Sequence, residues 1–389
     1  MTEAFSIGGR RFGSGNALVI AEIGTGHGGS MEKARELIAA AAEAGADCAK
    51  FQCVFAEEII HPDTGFVPLP GGPVALYEKF RALEEDEGFY SSIKEFAESL
   101  GLLFLCTPFG LRSARLLREI GCSFMKVASP ELNHFTLLDE LASYGLPTIL
   151  SSGVSTLADI DRALRRFGCR CPAALLHCVT SYPAPEADYN LRVLGSLRSL
   201  LGLPVGVSDH SLDPILVPTL SIASGGSIVE KHICLSRDSG GLDDPIALAP
   251  EAFSAMTRAV REAQSSAPED AIAALASEYG RARVEAVLGD GVKRLAPSEE
   301  ANYRLTNRSL HAMRGIKAGE RFEEGMVAAL RSEKVLRPGL DPELLAVVMG
   351  RRAMRDIASG DGIEWEDLGG RDISRARDSS HGRDGSRGR

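Results

Sequence analysis

No run in this 389-residue chain is apolar for long enough to cross a bilayer, which excludes a membrane-spanning helix. The N-terminus lacks a basic stretch followed by an apolar one, so no export signal is read there and a cytoplasmic location is expected. Positive charge is not in excess: 43 Lys and Arg stand against 53 Asp and Glu, and a formal net charge of -10 argues against non-specific nucleic-acid binding. Cysteine is absent beyond Cys234. Of the eight present, several lie inside apolar strand-like runs, as Cys106 and Cys178 do, and they read as reduced core residues rather than a disulfide framework. Cys169 and Cys171 have no second Cys or His pair at zinc-site spacing and read as a loop feature.

What is present is an alternation. Apolar strand-like runs at Ala17–Ile23, Cys48–Gln52, Leu102–Thr107, Phe124–Ala128, Thr148–Ser151, Ala173–His177, Val205–Ser208 and Ser227–His232 are separated by amphipathic stretches. Helix candidates are Met31–Ala44, Tyr90–Leu100, Ala114–Ile120, Leu137–Tyr144, Leu157–Phe167 and Leu191–Leu200. Ser30 is placed to cap the first, with Glu32 in its first turn, and Gly45, Gly101, Gly121, Gly145 and Gly168 follow helix ends. Eight strand–helix units in roughly 250 residues predict an α/β fold, a (β/α)8 TIM barrel. A doubly wound open sheet would have about five or six strands and one ligand crevice, whereas here nearly every strand ends in polar residues. The barrel is assigned to residues 1–265 and a polar, partly helical linker to 266–302. A small β-rich unit follows at 303–368, and a disordered Gly/Ser/Arg/Asp tail at 369–389.

Two tripeptides stand out: Ser208-Asp209-His210 and Glu230-Lys231-His232, each ending an apolar run. Either histidine alone reads as a core residue satisfied by a carbonyl. Together, on adjacent strand ends, two imidazoles can share one divalent metal. In a parallel barrel all strand C-termini lie on one face. The residues gathered there are Glu22, Lys50, Gln52, Thr107, Phe109, Lys126, Ser129, Glu131, Ser151, Ser152, His177, Thr180 and Tyr182, with the two tripeptides. Two lysines and several hydroxyls around one cavity make a phosphate or phosphate-carboxylate site. Glu22 and Glu131 are candidates for water activation or general-base work, and barrel-interior ion pairs with Lys50 and Lys126 are the alternative. Gly24 to Gly29 reads as a tight turn as readily as a phosphate cradle.

These stretches together resemble the sialic acid (N-acetylneuraminate) synthase family, phosphoenolpyruvate-condensing synthases of nonulosonic acids. The resemblance is carried by Ala21-Glu22-Ile23-Gly24 with His27, Gly45 to Gln52, Thr107-Pro108-Phe109, Lys126 to Asn133, Ser151-Ser152-Gly153 and His177 to Pro183, with both tripeptides. It continues through Val287 to Lys293 into Arg308-Ser309-Leu310 and Ile316 to Glu320, where it looks like the family's C-terminal SAF, or antifreeze-like, domain. The resemblance implies a transferase condensing phosphoenolpyruvate with an N-acylated, N-acetylmannosamine-type hexose to give a nine-carbon 2-keto sugar acid and phosphate. It implies that His210 and His232 hold a divalent metal, Mn or Mg. Lys50, Thr107, Lys126, Ser129, Ser151 and Ser208 would contact phosphoenolpyruvate. Glu22, Gln52, Phe109, Thr180, Tyr182 and Asp243 would lie toward the sugar or the metal's water, with Glu131 as general base. Arg308 would reach the sugar's acyl group in a neighbouring subunit's barrel, which implies a domain-exchanged homodimer.

The chain departs from the family pattern at Gly26-His27-Gly28-Gly29, where Asn-His-Asn-Gly is usual, and residues 58–80 form a long loop without an evident match. Two amides missing beside the site are expected to open volume there and favour a modified hexose. Another metal-dependent 3-deoxy sugar-acid synthase or aldolase remains an alternative, which the appended small domain disfavours. A non-catalytic sugar-binding homologue is a second alternative, which the intact set of Lys, Glu and His disfavours.

Overall fold

The computed structural model describes residues 4–13, 15–69, 72–168, 171–238 and 240–371. The chain opens with an antiparallel hairpin, β1 (Ala4–Ile7) and β2 (Arg10–Gly13). The first two barrel strands are β3 (Leu18–Gly24) and β4 (Cys48–Cys53). After a second hairpin, β5 (Phe66–Leu69) and β6 (Gly72–Ala75), come β7 (Leu103–Pro108), β8 (Met125–Val127) and β9 (Thr148–Ser151). The barrel set ends with β10 (Ala173–Cys178), β11 (Val205–Asp209) and β12 (Ile228–His232). The eight strands expected from the apolar runs all form, and all pair in parallel in the order β7-β4-β3-β12-β11-β10-β9-β8. β7 and β8 lie side by side and complete the ring, although among the described residues no ladder hydrogen bonds join them.

Period-two alternation divides each strand between two cores. Leu18, Ile20, Cys48, Leu103, Leu105, Phe124, Ile149, Ala174, Leu176 and Ile228 fill the barrel's lower interior, sealed below by Ile7 and Phe12 of the first hairpin. The intervening residues, such as Val19, Ala21, Ala49, Phe51, Leu175, Val207 and Val229, face the surrounding helices. Gly206 allows a close approach inside the ring: a Cβ there would lie 2.1 Å from the Ile228 carbonyl oxygen.

The outer layer contains α1 (Met31–Glu43), α2 (Leu76–Arg81), α3 (Glu87–Ser99), α4 (Leu111–Glu119), α5 (Phe135–Ser143) and α6 (Leu157–Phe167). It is completed by α7 (Val193–Leu201), α8 (Leu216–Ala223) and α9 (Pro250–Ser265). Helix α1 starts as its sequence predicts: the Ser30 hydroxyl accepts from the Lys33 amide, and Ala34, Leu37, Ile38 and Ala41 form its buried stripe.

Residues 266–302 do more than link. They form α10 (Pro268–Tyr279) and α11 (Arg281–Leu288), whose Leu275, Val284, Val287 and Leu288 belong to the same core as the barrel's helices. Residues 289–302 then run back to the barrel mouth, where Lys293 donates to the Ser152 carbonyl.

The small domain contains β13 (Arg308–Ala312) and β14 (Val327–Arg331), an antiparallel pair, then α12 (Leu345–Val348). A second pair follows, β15 (Arg351–Ala353) and β16 (Leu368–Arg371). Its core is built on Leu310, Ala312, Ile316, Phe322, Val348, Ile357 and Ile363. The final strand extends to Arg371, so ordered chain continues past the boundary expected at residue 368; the rest of the expected disordered tail, 372–389, lies outside the described residues, as does Cys169. The other seven cysteines are buried and free. No helix among the described residues is long and apolar enough to cross a membrane.

Candidate active site

The inward positions that are apolar low in the barrel become polar at its top: Glu22, Lys50, Gln52, Thr107, Lys126, Ser151, Ser208, Glu230 and His232 all share one parity with the interior core, and His210 continues it past β11. These groups meet. The Lys50 ammonium lies 2.6 Å from Glu22 Oε2 and 3.6 Å from Glu230 Oε2. Gln52 donates to Glu22 Oε1 at 2.8 Å, and the Ser208 hydroxyl to Glu230 Oε1 at 2.9 Å. Burial alone would raise the Glu230 carboxyl, but Lys126 and Lys50 outweigh it and hold the group at about 2. The sequence places Glu230 at the strand end with its tripeptide but assigns it no role of its own. Its signal was there, two residues before an inward histidine on the same strand.

Lys126 differs from Lys50. It donates to Ser151 Oγ at 2.6 Å and to the Val127 carbonyl at 3.0 Å, and among the described residues no carboxylate lies within ion-pair distance. Burial accordingly lowers it to about 8. Nearby, the Thr107 hydroxyl is buried without a hydrogen-bond partner. Ser129 accepts from the Gly153 amide at 3.0 Å.

His210 and His232 face one another with ring centroids 5.7 Å apart, and Tyr182 stacks on His210 at 4.3 Å. His210 Nδ1 lies 2.9 Å from the Val179 carbonyl, which orients Nε2 away from the wall. Asp243 Oδ2 is 4.0 Å from His232 Nδ1. This is a two-imidazole donor set with one carboxylate in reach. Among the described residues no three His, Cys, Asp or Glu groups are already gathered as a metal cage.

The other members of the tripeptides face away. Lys231 and Asp209 form a fully buried ion pair at 2.6 Å on the helix side of the sheet, as their outward parity requires. His177 also points outward; its Nε2 meets the Tyr189 carbonyl at 2.7 Å, and burial lowers it to about 3. His27 packs beside Phe89 and Phe51, its centroid 4.9 and 5.9 Å from theirs, as a core histidine of the β3–α1 turn. Of the two glycines expected to open space, only Gly28 does so. A Cβ on Gly26 would sit 3.0 Å from the Ile23 carbonyl, while one on Gly28 meets nothing, although its φ of +58° favours glycine.

Glu131 and Arg308 meet each other rather than lying free in the site. Glu131 is fully buried and ion-paired to Arg308 and to Arg331. Burial pushes its carboxyl up, but the two guanidinium groups prevail and hold it far below the usual carboxylate range. Both of its carboxylate oxygens are thus taken up by guanidinium groups. Arg308, in turn, reaches the barrel of its own chain. Asn133 exchanges hydrogen bonds with its backbone (2.9 and 3.1 Å), and its side chain donates to the carbonyls of Phe109, Glu58 and Ile59. Buried and occupied in this way, it sits at the mouth of its own chain's barrel. The unmatched loop 58–80 provides the seat: its Ile59, Ile60, Val67 and Leu76 pack with Val54 and Phe109, and Ile60 bridges to Arg331. Arg331, missed in the sequence, also lies over the Phe109 ring at 5.4 Å.

Comparison with known proteins matches residues 37–271 to the NeuB family and residues 307–369 to the SAF domain. The chain belongs to the NeuB family. It is 32% identical, over 81% of its length and 90% of the relative's, to the N,N'-diacetyllegionaminic acid synthase of Campylobacter jejuni. An uncharacterized protein of Methanocaldococcus jannaschii is 33% identical over 94% of this chain and 99% of its own. The crystal structure of the Bacillus subtilis spore coat polysaccharide biosynthesis protein SpsE superposes with a TM-score of 0.79 at 29% identity, covering 95% of this chain and all of that one. This NeuB-family chain therefore joins a TIM barrel to a C-terminal SAF domain and groups with the sialic acid-type synthases.

Proposed function

We propose that this protein condenses phosphoenolpyruvate with an open-chain N-acylated hexose, releasing phosphate and a nine-carbon 2-keto sugar acid. The observation that carries this reading is Lys126: a buried ammonium with no carboxylate within ion-pair distance among the described residues, flanked by hydroxyls, is a seat for an anion. Lys50, Lys126, Thr107, Ser151 and Ser208 would hold the phosphate and carboxylate of phosphoenolpyruvate. Its methylene carbon then forms a bond to the sugar aldehyde carbon, and the positive charge left at C2 takes up water. The resulting tetrahedral carbon expels phosphate by C–O cleavage. Glu22, next to His232 across the ladder, is the carboxylate that orients the water, since Glu131 is committed elsewhere. Fixed lysines and hydroxyls supply much of the rate by positioning and preorganised charge.

The donor set of His210 Nε2, His232 and Asp243 suits Mn or Mg with open positions, and such an ion would polarise the aldehyde oxygen. For the sugar, Gly28 and the similarity to a diacetyllegionaminic acid synthase favour an acceptor with two N-acyl groups. Phosphate release with Mn and a panel of N-acylated hexoses is the test. A 6-deoxy di-N-acyl hexose is expected to exceed N-acetylmannosamine by about tenfold in kcat/KM; the opposite order would return the chain to the neuraminate branch, and no release with any sugar would remove the condensation.

Phosphoenolpyruvate affinity should also fall as pH rises. The Lys126 charge is complete well below about 8 and is lost above it. Between pH 7 and 9 affinity is expected to drop toward tenfold per unit, with proton uptake on binding at pH 8.5 in calorimetry. A flat profile would mean that Lys126 is not the anion's partner.

A further inference from the structure

We infer that Glu299, in the segment leading to the small domain, is a positioning residue for the phosphoenolpyruvate side of the mouth. The inference rests on the proposed function for its ligand and on the following geometry for its mechanism.

Val154 follows the β9 strand end and has φ of +42°. A β-branched residue in the left-handed region is a strained outlier, kept there only by its surroundings. Its surroundings are specific. Its amide donates to Glu299 Oε1 at 2.7 Å, and its carbonyl accepts from the Asn307 side chain at 3.3 Å. The same Glu299 oxygen takes the Thr180 amide at 2.7 Å, while Oε2 takes the Ala296 amide at 3.2 Å. One buried carboxylate thus fixes the loops after β9 and β10 together and closes its own turn. Lys293, whose ammonium donates to the Ser152 carbonyl, lies close enough to attract it.

The loops held in this way bear on the site residues. Gly153, between Ser152 and Val154, sits so tightly that a Cβ would be 2.0 Å from Thr180 Oγ1 and 2.9 Å from Ser129 Oγ. Its amide donates to Ser129, and two residues earlier Ser151 meets Lys126. Relaxation of Val154 toward an ordinary φ would swing Gly153 away from Ser129 and Thr180 and loosen the Ser151–Lys126 contact. The restraint comes from the backbone between barrel and small domain, so the anion seat is completed by chain that contributes no strand to the barrel.

Glu299→Gln keeps the size and replaces one acceptor with an amide donor facing backbone N–H groups. It is expected to weaken phosphoenolpyruvate binding in calorimetry, and to raise its KM, by about tenfold. Amide exchange in peptides covering 151–156 and 178–182 should quicken, with 228–232 unaffected. Val154→Gly, which holds positive φ without restraint, should stay within about twofold of wild type and recover at least about threefold of the loss when combined with Glu299→Gln. Should Glu299→Gln not fold, Asn307→Ala loosens only the carbonyl side and is expected to change the same quantities in the same direction by about threefold. Unchanged exchange and affinity in the variants, or fully additive effects of Val154→Gly, would overturn the inference. Failure of the wild type to bind phosphoenolpyruvate would instead strike the proposed function, and the exchange measurement would still judge Glu299.

Discussion

Replacing Glu131 with alanine is expected to cost about 3–5 kcal/mol of stability, because two buried guanidinium groups lose their shared counter-charge. Arg308 is fully buried and Arg331 nearly so, and neither can turn out to water without undoing the contact between domain and barrel. Chemical denaturation of the whole chain measures the loss, and proteolysis in the segment 289–306 should become faster. Glu131→Gln, which keeps shape and one acceptor, should fall between. The pH dependence follows from the sign of the shift. The folded carboxyl is depressed from its ordinary 4.5, so its contribution is complete above that value and is lost only as pH falls toward the folded pKa. A Glu131→Ala protein within about 0.5 kcal/mol of wild type at pH 7 would show that the clamp does not hold the small domain.

Lys50→Met is expected to abolish phosphoenolpyruvate binding and lower kcat/KM by a factor of about a thousand or more, the scale of losing a preorganised charge at the reacting centre. It also leaves Glu22 and Glu230 facing each other in the barrel without the ammonium between them. In the wild type Glu230 is held at about 2, so its stabilising contribution persists until strongly acid pH. Without Lys50, Lys126 is left to oppose the burial that pushes the Glu230 carboxyl upward, and protonation relieves part of the penalty. The variant should therefore gain stability as pH falls from 7 toward 5, a range in which the wild-type Glu230 contribution stays constant. Parallel melting curves across that range decide it, and matching slopes would mean that Lys50 does not balance the two carboxylates.

The barrel was legible because its strands are bounded by polar residues and most are followed by a glycine-terminated amphipathic helix. Helix α8 escaped notice for the converse reason. Leu216 to Ala223 contains a proline and has no polar face, because it is buried on nearly every side with α9 and α10 packed against it. Of the candidate site, the inward parity of Lys50, Lys126, Ser208, His210 and His232 could be read from strand spacing alone. The same parity, applied to Asp209, Lys231 and His177, would have sent them to the helix side. Glu131 could not be assigned from sequence, since its partners are 177 and 200 residues away and nothing local marks a carboxylate that will be surrounded by arginine. Arg331 lay hidden as one more charge at the end of an unremarkable strand.

The joint between β7 and β8 is where the ring lacks ladder bonds, and Arg308 touches the chain on both sides of it: the Phe109 carbonyl just past β7 and the Glu131 carboxylate just past β8. Arg331 repeats the span, with its guanidinium over the Phe109 ring and paired to Glu131. In mechanical terms the small domain is a clasp across the gap in a split hoop. Lys50 stands on β4, one strand to one side of that gap, and Lys126 on β8 at the other. The clasp therefore spans the ring beside the two lysine-bearing strands, and a change of grip in the small domain is expected to change the distance between them.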